Sequence, residues 1–146
     1  MALAIGSDHA GFSLKQILCH YFQSQHIEFL DIGCHTDERV DYPDFAMQVA
    51  RLVSKGTCER GIVLCGTGIG VAIVANKVRG IRAALCCTEF MAEMARKHND
   101  ANILALGGRT TSAEMALKIV NIFLHTPFAD EHHSLRVEKI HSLTNR

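Results

Sequence analysis

Residues 61–77 read GIVLCGTGIGVAIVANK and contain the transition that decides the fold. Gly61 to Cys65 is a short apolar run without polar alternation, which predicts a strand buried on both faces. Gly70 to Lys77 predicts a helix, and the glycine-rich residues between them predict a tight turn. A buried strand that enters a helix through glycines is typical of a βα unit in a parallel sheet.

The same pattern recurs along the chain. Four more strands are predicted, at Leu3 to Ser7, Ile27 to Asp31, Ile81 to Cys86 and Ile103 to Leu106. The other predicted helices are Phe12 to Gln25, Pro43 to Lys55, Thr88 to His98, Ser112 to Thr126 and about Glu131 to Ser142. We therefore expect a doubly wound, Rossmann-like α/β/α fold with a five-stranded parallel sheet and an extra C-terminal helix.

Length and charge limit the classes of function. The 146 residues suit a single domain spanning the whole chain, and 15 basic residues balance 15 acidic ones. Without an overall electrostatic field, neither nucleic acid nor a membrane surface is an expected partner. No apolar stretch approaches the roughly 18 residues of a membrane span, and Asp8 follows the N-terminus too closely for a signal peptide. The expected location is cytoplasmic.

Cysteine and histidine give no sign of disulfides or metal. The six cysteines include no C-x-x-C pair, and without an export signal we expect reduced thiols. The nine histidines form neither an H-E-x-x-H motif nor a Cys/His cluster at zinc spacing, so no metal site is expected.

Three loops are expected to lie at one edge of the sheet, because ligands of open parallel sheets bind beyond the carboxyl ends of the strands. The first strand is followed by Asp8-His9-Ala10-Gly11, and the third ends in Cys65 and its glycine loop. The fifth is followed by Gly107-Gly108-Arg109.

The glycine loop Gly66-Thr67-Gly68-Ile69-Gly70 is either a cradle for an anion or a tight turn that needs positive φ angles. The spacing of the glycines alone favours neither the anion cradle nor the tight turn. It lacks the lysine of a P-loop, and a dinucleotide site is a weak alternative because the spacing is G-x-G-x-G and Asp8 would repel a pyrophosphate. A thiol phosphatase is excluded, since Val71 and Ala72 stand where its arginine is needed.

Cys65 comes directly before this loop, where backbone amides and a helix N-terminus would favour a thiolate. A thiolate there could act as a base or as a nucleophile. Cysteine is commonly an inert buried residue, which is the interpretation for the other five: Cys19, Cys34, Cys58, Cys86 and Cys87.

Three stretches together resemble a known family, the ribose-5-phosphate isomerase B and LacAB sugar-phosphate isomerases. They are Gly6 to Gly11, Cys65 to Gly70 continuing to Ala75-Asn76-Lys77, and His98 to Asn102. The resemblance covers nearly the whole chain, and further matches occur at Asp41-Tyr42-Pro43, Gly80-Ile81-Arg82-Ala83 and Arg136-Val137.

The resemblance implies a cofactor-free aldose–ketose isomerase that works through an enediolate. Cys65 matches the catalytic base that moves a proton between C1 and C2, and His98 matches the residue that assists ring opening. Thr67 and the loop amides of residues 66–70 would stabilise the enediolate oxygen. Asp8 and Asn99 match sugar-binding positions, and the phosphate positions are His9, Arg109 and Arg136.

Topology adds an expectation of its own. A crossover helix runs antiparallel to the strands, so His98 should lie at the amino ends of the strands, opposite Cys65. We therefore predict an active site shared between subunits of a homodimer or a dimer of dimers, with His98 and Asn99 supplied by the neighbour.

Two features leave the substrate open. The family usually has an arginine where this chain has His132, which would bind phosphate more weakly and with a pH dependence. Ribose 5-phosphate is the expected substrate, with allose 6-phosphate or galactose 6-phosphate as alternatives. A non-catalytic regulator that binds sugar phosphates or nucleotides is the alternative of a different class.

Overall fold

The computed structural model describes residues 2–146 and contains one five-stranded sheet. All its strands are parallel, in the order β2-β1-β3-β5-β4. Six helices alternate with and follow the strands, which confirms the predicted α/β fold. The strands are β1 Leu3–Ser7, β2 Phe29–Asp31, β3 Arg60–Cys65, β4 Ala83–Leu85 and β5 Ile103–Gly107. The helices are α1 Phe12–Ser24, α2 Tyr42–Ser54, α3 Ile69–Ala75, α4 Glu89–Asn99, α5 Ala113–His125 and α6 His133–Thr144.

The sheet separates two apolar cores. Side chains of a strand alternate between the two faces, and β3 shows this clearly. Ile62 and Leu64 join the core formed with α1, α4 and α5, whereas Val63 and Cys65 join the core formed with α2 and α3. The Cys65 side chain therefore lies on the face of the sheet that is covered by α3, the helix that follows the glycine loop.

The prediction of five strands buried on both faces was wrong for the two edge strands. β1, β3 and β5 are buried, but β2 and β4 have three residues each and are partly exposed. An edge strand pairs with a neighbour on one side only, so a short edge strand leaves fewer backbone N–H and C=O groups without a partner. The apolar runs at residues 27–31 and 81–86 were therefore longer than the strands within them.

Several helix ends follow the predicted signals. The Thr88 hydroxyl accepts a hydrogen bond from Met91 N–H at 3.1 Å and caps α4, and Pro43 lies in the first turn of α2. α3 begins at Ile69, one residue before the predicted start. Among residues 2–146, no helix has the length and apolar character to cross a membrane.

Candidate active site

The three predicted loops meet at the carboxyl edge of the sheet. Asp8 N–H donates to the Leu64 carbonyl oxygen at 3.2 Å, which joins the loop after β1 to β3. Gly108 N–H donates to the Cys65 carbonyl at 2.8 Å, and Arg109 N–H donates to that of Gly66 at 2.9 Å. Backbone bonds thus hold these loops against one another, as the sequence predicted.

Two glycines after β5 make this junction possible. A Cβ atom on Gly107 would overlap Thr110 Oγ1 and lie 2.7 Å from the Thr67 carbonyl carbon. One on Gly108 would overlap the Ala10 carbonyl oxygen. Any larger residue would push the loops apart, so these glycines serve close backbone approach.

Cys65 is 5% exposed, and its sulfur has a specific partner. Gly68 N–H donates to Cys65 Sγ at 3.2 Å from a residue with φ of +79°. Ile69 N–H donates to Thr67 Oγ1 at 3.2 Å, which fixes the exposed Thr67 side chain. The loop contains the predicted positive-φ turn, and its Gly68 N–H is directed at the thiol, while the anion cradle stays a prediction. A thiolate at Cys65 gains a hydrogen bond from Gly68.

Asp8, His9 and Arg109 lie around this loop. Asp8 Oδ1 accepts hydrogen bonds from Ala10 N–H at 2.9 Å and Gly11 N–H at 3.1 Å, so one carboxylate oxygen shapes the loop. His9 Nδ1 lies 3.2 Å from both the backbone nitrogen and the oxygen of Val40, which holds the ring from its Nδ1 side. The Arg109 guanidinium passes over Gly66, where a Cβ would lie 3.6 Å from Nη1.

Tyr42 is a neighbour of the loop to which sequence reasoning gave no role. A Cβ on Gly70 would lie 2.6 Å from the Tyr42 ring, so the tyrosine packs directly on the start of α3. The signal was the Asp41-Tyr42-Pro43 match, but pattern alone gave no contact with the glycine loop.

His98 and Asn99 lie at the opposite edge of the sheet. Both are exposed and end α4. The Asn99 carbonyl accepts a hydrogen bond at 3.0 Å from Nε of Arg82, which directly precedes the amino end of β4. The predicted position at the amino ends of the strands is thus confirmed.

His132 and Arg136 belong to this amino edge as well. The His98 ring stacks on His133 with centroids 4.2 Å apart, and the His132 ring lies 4.4 Å from His133 on α6. Arg136 is one turn further along and contributes to the charge around His133. His133 was missed by sequence reasoning, because its neighbours in space come from another helix.

The proposed site residues therefore form two groups. Cys65 is paired with Gly107 and Gly61 with Ile103, so four residue steps, or about 13 Å, separate the two edges along β5. The residues at the carboxyl edge are Asp8, His9, Cys65 to Gly70 and Arg109. The residues at the amino edge are His98, Asn99, His132 and Arg136. One chain does not bring His98 to Cys65.

The other cysteines differ from Cys65 in their surroundings. Burial raises the pKa of the Cys86 thiol to about 12, and burial together with the Asp31 charge raises that of Cys19 to about 11. Both therefore stay protonated near neutral pH. The expectation of burial was wrong for Cys87, which is exposed in the bend between β4 and α4. No disulfide forms among the cysteines.

Comparisons with known proteins agree with this fold. The sequence profile of the family described as Ribose/Galactose Isomerase matches residues 3–140. Ribose-5-phosphate isomerase B of Escherichia coli K12 is 41% identical over 144 residues, covering 99% of this chain and 97% of that protein. D-erythrulose-4-phosphate isomerase of Pectobacterium atrosepticum is 42% identical over 141 residues, covering 96% and 93%.

A solved structure extends the similarity to the backbone. Ribose-5-phosphate isomerase B of Clostridium thermocellum superposes with a TM-score of 0.97 at 49% identity, covering 99% of this chain and 98% of that one. The fold and the cysteine loop, together with these relatives, define a sugar-phosphate isomerase. The chain belongs to the ribose/galactose isomerase family.

Proposed function

We propose that this enzyme interconverts ribose 5-phosphate and ribulose 5-phosphate without a cofactor, as one cytoplasmic isomerase domain. The hydrogen bond from Gly68 N–H to Cys65 Sγ carries the proposal, because it supports a thiolate at the point where three loops meet. The names of relatives from E. coli and C. thermocellum support the pentose phosphate as substrate.

Cys65 is the base. It removes the proton from C2 of the open-chain aldose, the C2–H electrons form the C1=C2 bond, and the carbonyl electrons move to O1. The O2 proton then passes to O1, the O2 electrons form the C2=O bond, and the C1=C2 electrons take the proton back from Cys65 at C1, which gives the ketose. Thr67 and the amides of residues 66–70 stabilise the negative enediolate oxygen.

The other proposed site residues, at the carboxyl and amino edges of the sheet, bind the substrate. Asp8 keeps one carboxylate oxygen free of the Ala10 and Gly11 amides, which suits it to accept from a sugar hydroxyl, and Asn99 offers an amide. Four basic residues bind the phosphate: His9, Arg109, His132 and Arg136.

His98 opens the sugar ring. It carries the proton from the anomeric hydroxyl O1 to the ring oxygen O4. The O1 electrons then form the C1=O bond as the C1–O4 bond breaks. An exposed imidazole can both accept and return a proton.

The active site is made by two copies of the chain, in a dimer or a dimer of dimers. A two-fold arrangement places the amino edge of each copy on the carboxyl edge of the other, giving two identical sites. An apolar groove of about 550 Å³ between α3 and α6 supports such contact, because Ile69, Ile73 and Ile140 line it and are exposed in one chain. Leu135 and Leu143 of α6 are also exposed in one chain.

Solvent deuterium tests the role of Cys65. We expect wild type in D₂O to introduce deuterium at C1 of ribulose 5-phosphate, and a Cys65→Ala enzyme to introduce none. Cys87→Ala removes an exposed thiol beyond β4 and should exchange as wild type does. Undiminished exchange by Cys65→Ala would exclude the thiol as the base.

A second assay tests the sugar. Ribose 5-phosphate should have the highest kcat/KM in a series that includes erythrose 4-phosphate, allose 6-phosphate, galactose 6-phosphate and unphosphorylated ribose. Preference for a hexose phosphate would retain the chemistry and change the substrate. His132 predicts a KM that rises between about pH 6 and 8 as its charge is lost, and a flat KM would contradict that role.

A further inference from the structure

His133 is buried, and its ring contacts two other histidines. It stacks on the His98 ring, with the planes inclined by 18°, and lies near the His132 ring, with the planes inclined by 39°. His133 is 8% exposed, whereas His98 and His132 are exposed. The arrangement places one face of the His98 ring against His133 in a residue that is otherwise exposed.

The backbone around the stack is tied together. Ala129 N–H donates to the Lys97 carbonyl at 3.1 Å, and Arg96 Nε donates to the Thr126 carbonyl at 3.2 Å. His133 N–H donates to the Asp130 carbonyl at 3.1 Å. The segment that leads into α6 is therefore fastened to the last turn of α4, which carries His98.

The surroundings of His133 favour its neutral form. Burial and the nearby His98, His132 and Arg136 lower the pKa of His133 below its ordinary value, while Glu131 acts in the opposite direction. A neutral ring stacks on His98 without competing charge, whether His98 is neutral or protonated. Offset stacking of aromatic rings restricts the plane of both partners.

We propose that His133 is a positioning residue that fixes the plane in which His98 presents its nitrogens to the sugar ring. This inference rests on the proposed ring opening at His98. His133 touches no substrate, and its effect is confined to the step in which the proton moves from O1 to O4. Proton transfer at Cys65 does not depend on it.

Two reactions of one substrate pair separate these steps. Ribose 5-phosphate exists mainly as a furanose, so its conversion includes ring opening. Ribulose 5-phosphate is acyclic, because the hydroxyl that would close its ring carries the phosphate. Exchange of its C1 hydrogen with solvent deuterium therefore needs Cys65 but no ring opening.

The variants are His133→Ala, which removes the stack, and His133→Phe, which keeps a flat ring. We expect H133A to lower kcat/KM for ribose 5-phosphate about tenfold, since small misplacement of a reacting group has effects of that order. C1 exchange should stay within about twofold of wild type, and H133F should restore conversion. Lys139→Ala on the exposed part of α6 is the matched control.

Each outcome decides the inference. Equal losses of conversion and exchange in H133A would mean a general structural role and would overturn it, as would no loss of conversion. If H133A does not fold, a folded H133F enzyme with impaired conversion overturns the stacking role, and one with intact conversion supports it. Absence of exchange in wild type would instead refute the proposed function itself.

Discussion

The proposed site residues at the two edges of the sheet are held in place by different kinds of contact. At the carboxyl edge, backbone meets backbone: Gly107 and Gly108 let three loops touch, and Gly68 directs its N–H at Cys65 Sγ. At the amino edge, the contacts are made by side chains: the His98 ring stacks on His133, and the Arg82 side chain donates a hydrogen bond to the Asn99 carbonyl. Glycines therefore hold the proposed base Cys65 in place, whereas side-chain contacts position the proposed ring-opening residue His98.

Gly107→Ala should produce the largest effect, because its new methyl group meets backbone on one side and Thr110 on the other. We expect the free energy of unfolding to fall by about 4 kcal/mol, at the upper end of overpacking costs, with loss of C1 exchange. Urea unfolding measures the first quantity. Gly66→Ala is the control, since no atom lies within 3.4 Å of its added Cβ, and equal stability of the two variants would refute the close-approach argument.

Asp31→Asn tests the ion pair beneath the carboxyl edge. Lys15 Nζ is fully buried and lies 2.6 Å and 2.7 Å from the two Asp31 oxygens, one of which also accepts from Gly33 N–H. Neutralising the carboxylate leaves the ammonium unpaired and should cost about 3 kcal/mol of unfolding free energy. Lys15→Met should cost much less, and a larger loss for Lys15→Met than for Asp31→Asn would contradict this account.

Arg82→Lys tests the amino edge. The Arg82 guanidinium donates to the carbonyls of Asn99 and Asp100, at 3.0 Å and 2.7 Å, and contacts His141 Nε2 at 2.8 Å. Lysine keeps the charge but loses the forked geometry, so we expect a loss of about 1.5 kcal/mol on urea unfolding. Conversion of ribose 5-phosphate should fall while C1 exchange persists. Arg79→Lys, which replaces an exposed arginine with a single 3.4 Å bond, should behave as wild type.

The smallest expected effect is a pH dependence of stability. Because the folded state lowers the pKa of His133, the unfolded chain binds its proton more readily. Stability should therefore be complete above about pH 6.5 and fall as the pH drops below that ordinary histidine value. Between pH 7.5 and 5.5, wild type should lose more unfolding free energy than H133F. Equal losses would place the acid sensitivity elsewhere.

The sequence predicted the carboxyl edge well because its determinants are local. The Cys65 strand, its glycines and the Asp8 loop each follow directly from a run of adjacent residues. The strand order and the short edge strands were not predicted, because the apolar residues Ile27, Phe29 and Leu30 do not reveal that only Phe29–Asp31 forms a strand at the edge of the sheet. His133 was out of reach for the same physical reason: its contact with His98 joins residues 35 positions apart, and no periodicity reports such a stack.

Mixing two inactive variants tests the central claim, that His98 serves the Cys65 of a neighbouring chain. After unfolding and refolding an equal mixture of Cys65→Ala and His98→Ala chains, half of the dimers should be hybrids with one complete site each. We predict recovery of about 25% of wild-type conversion of ribose 5-phosphate, as a two-fold dimer requires. No recovery after subunit exchange has been verified by mass spectrometry would contradict a site shared between chains.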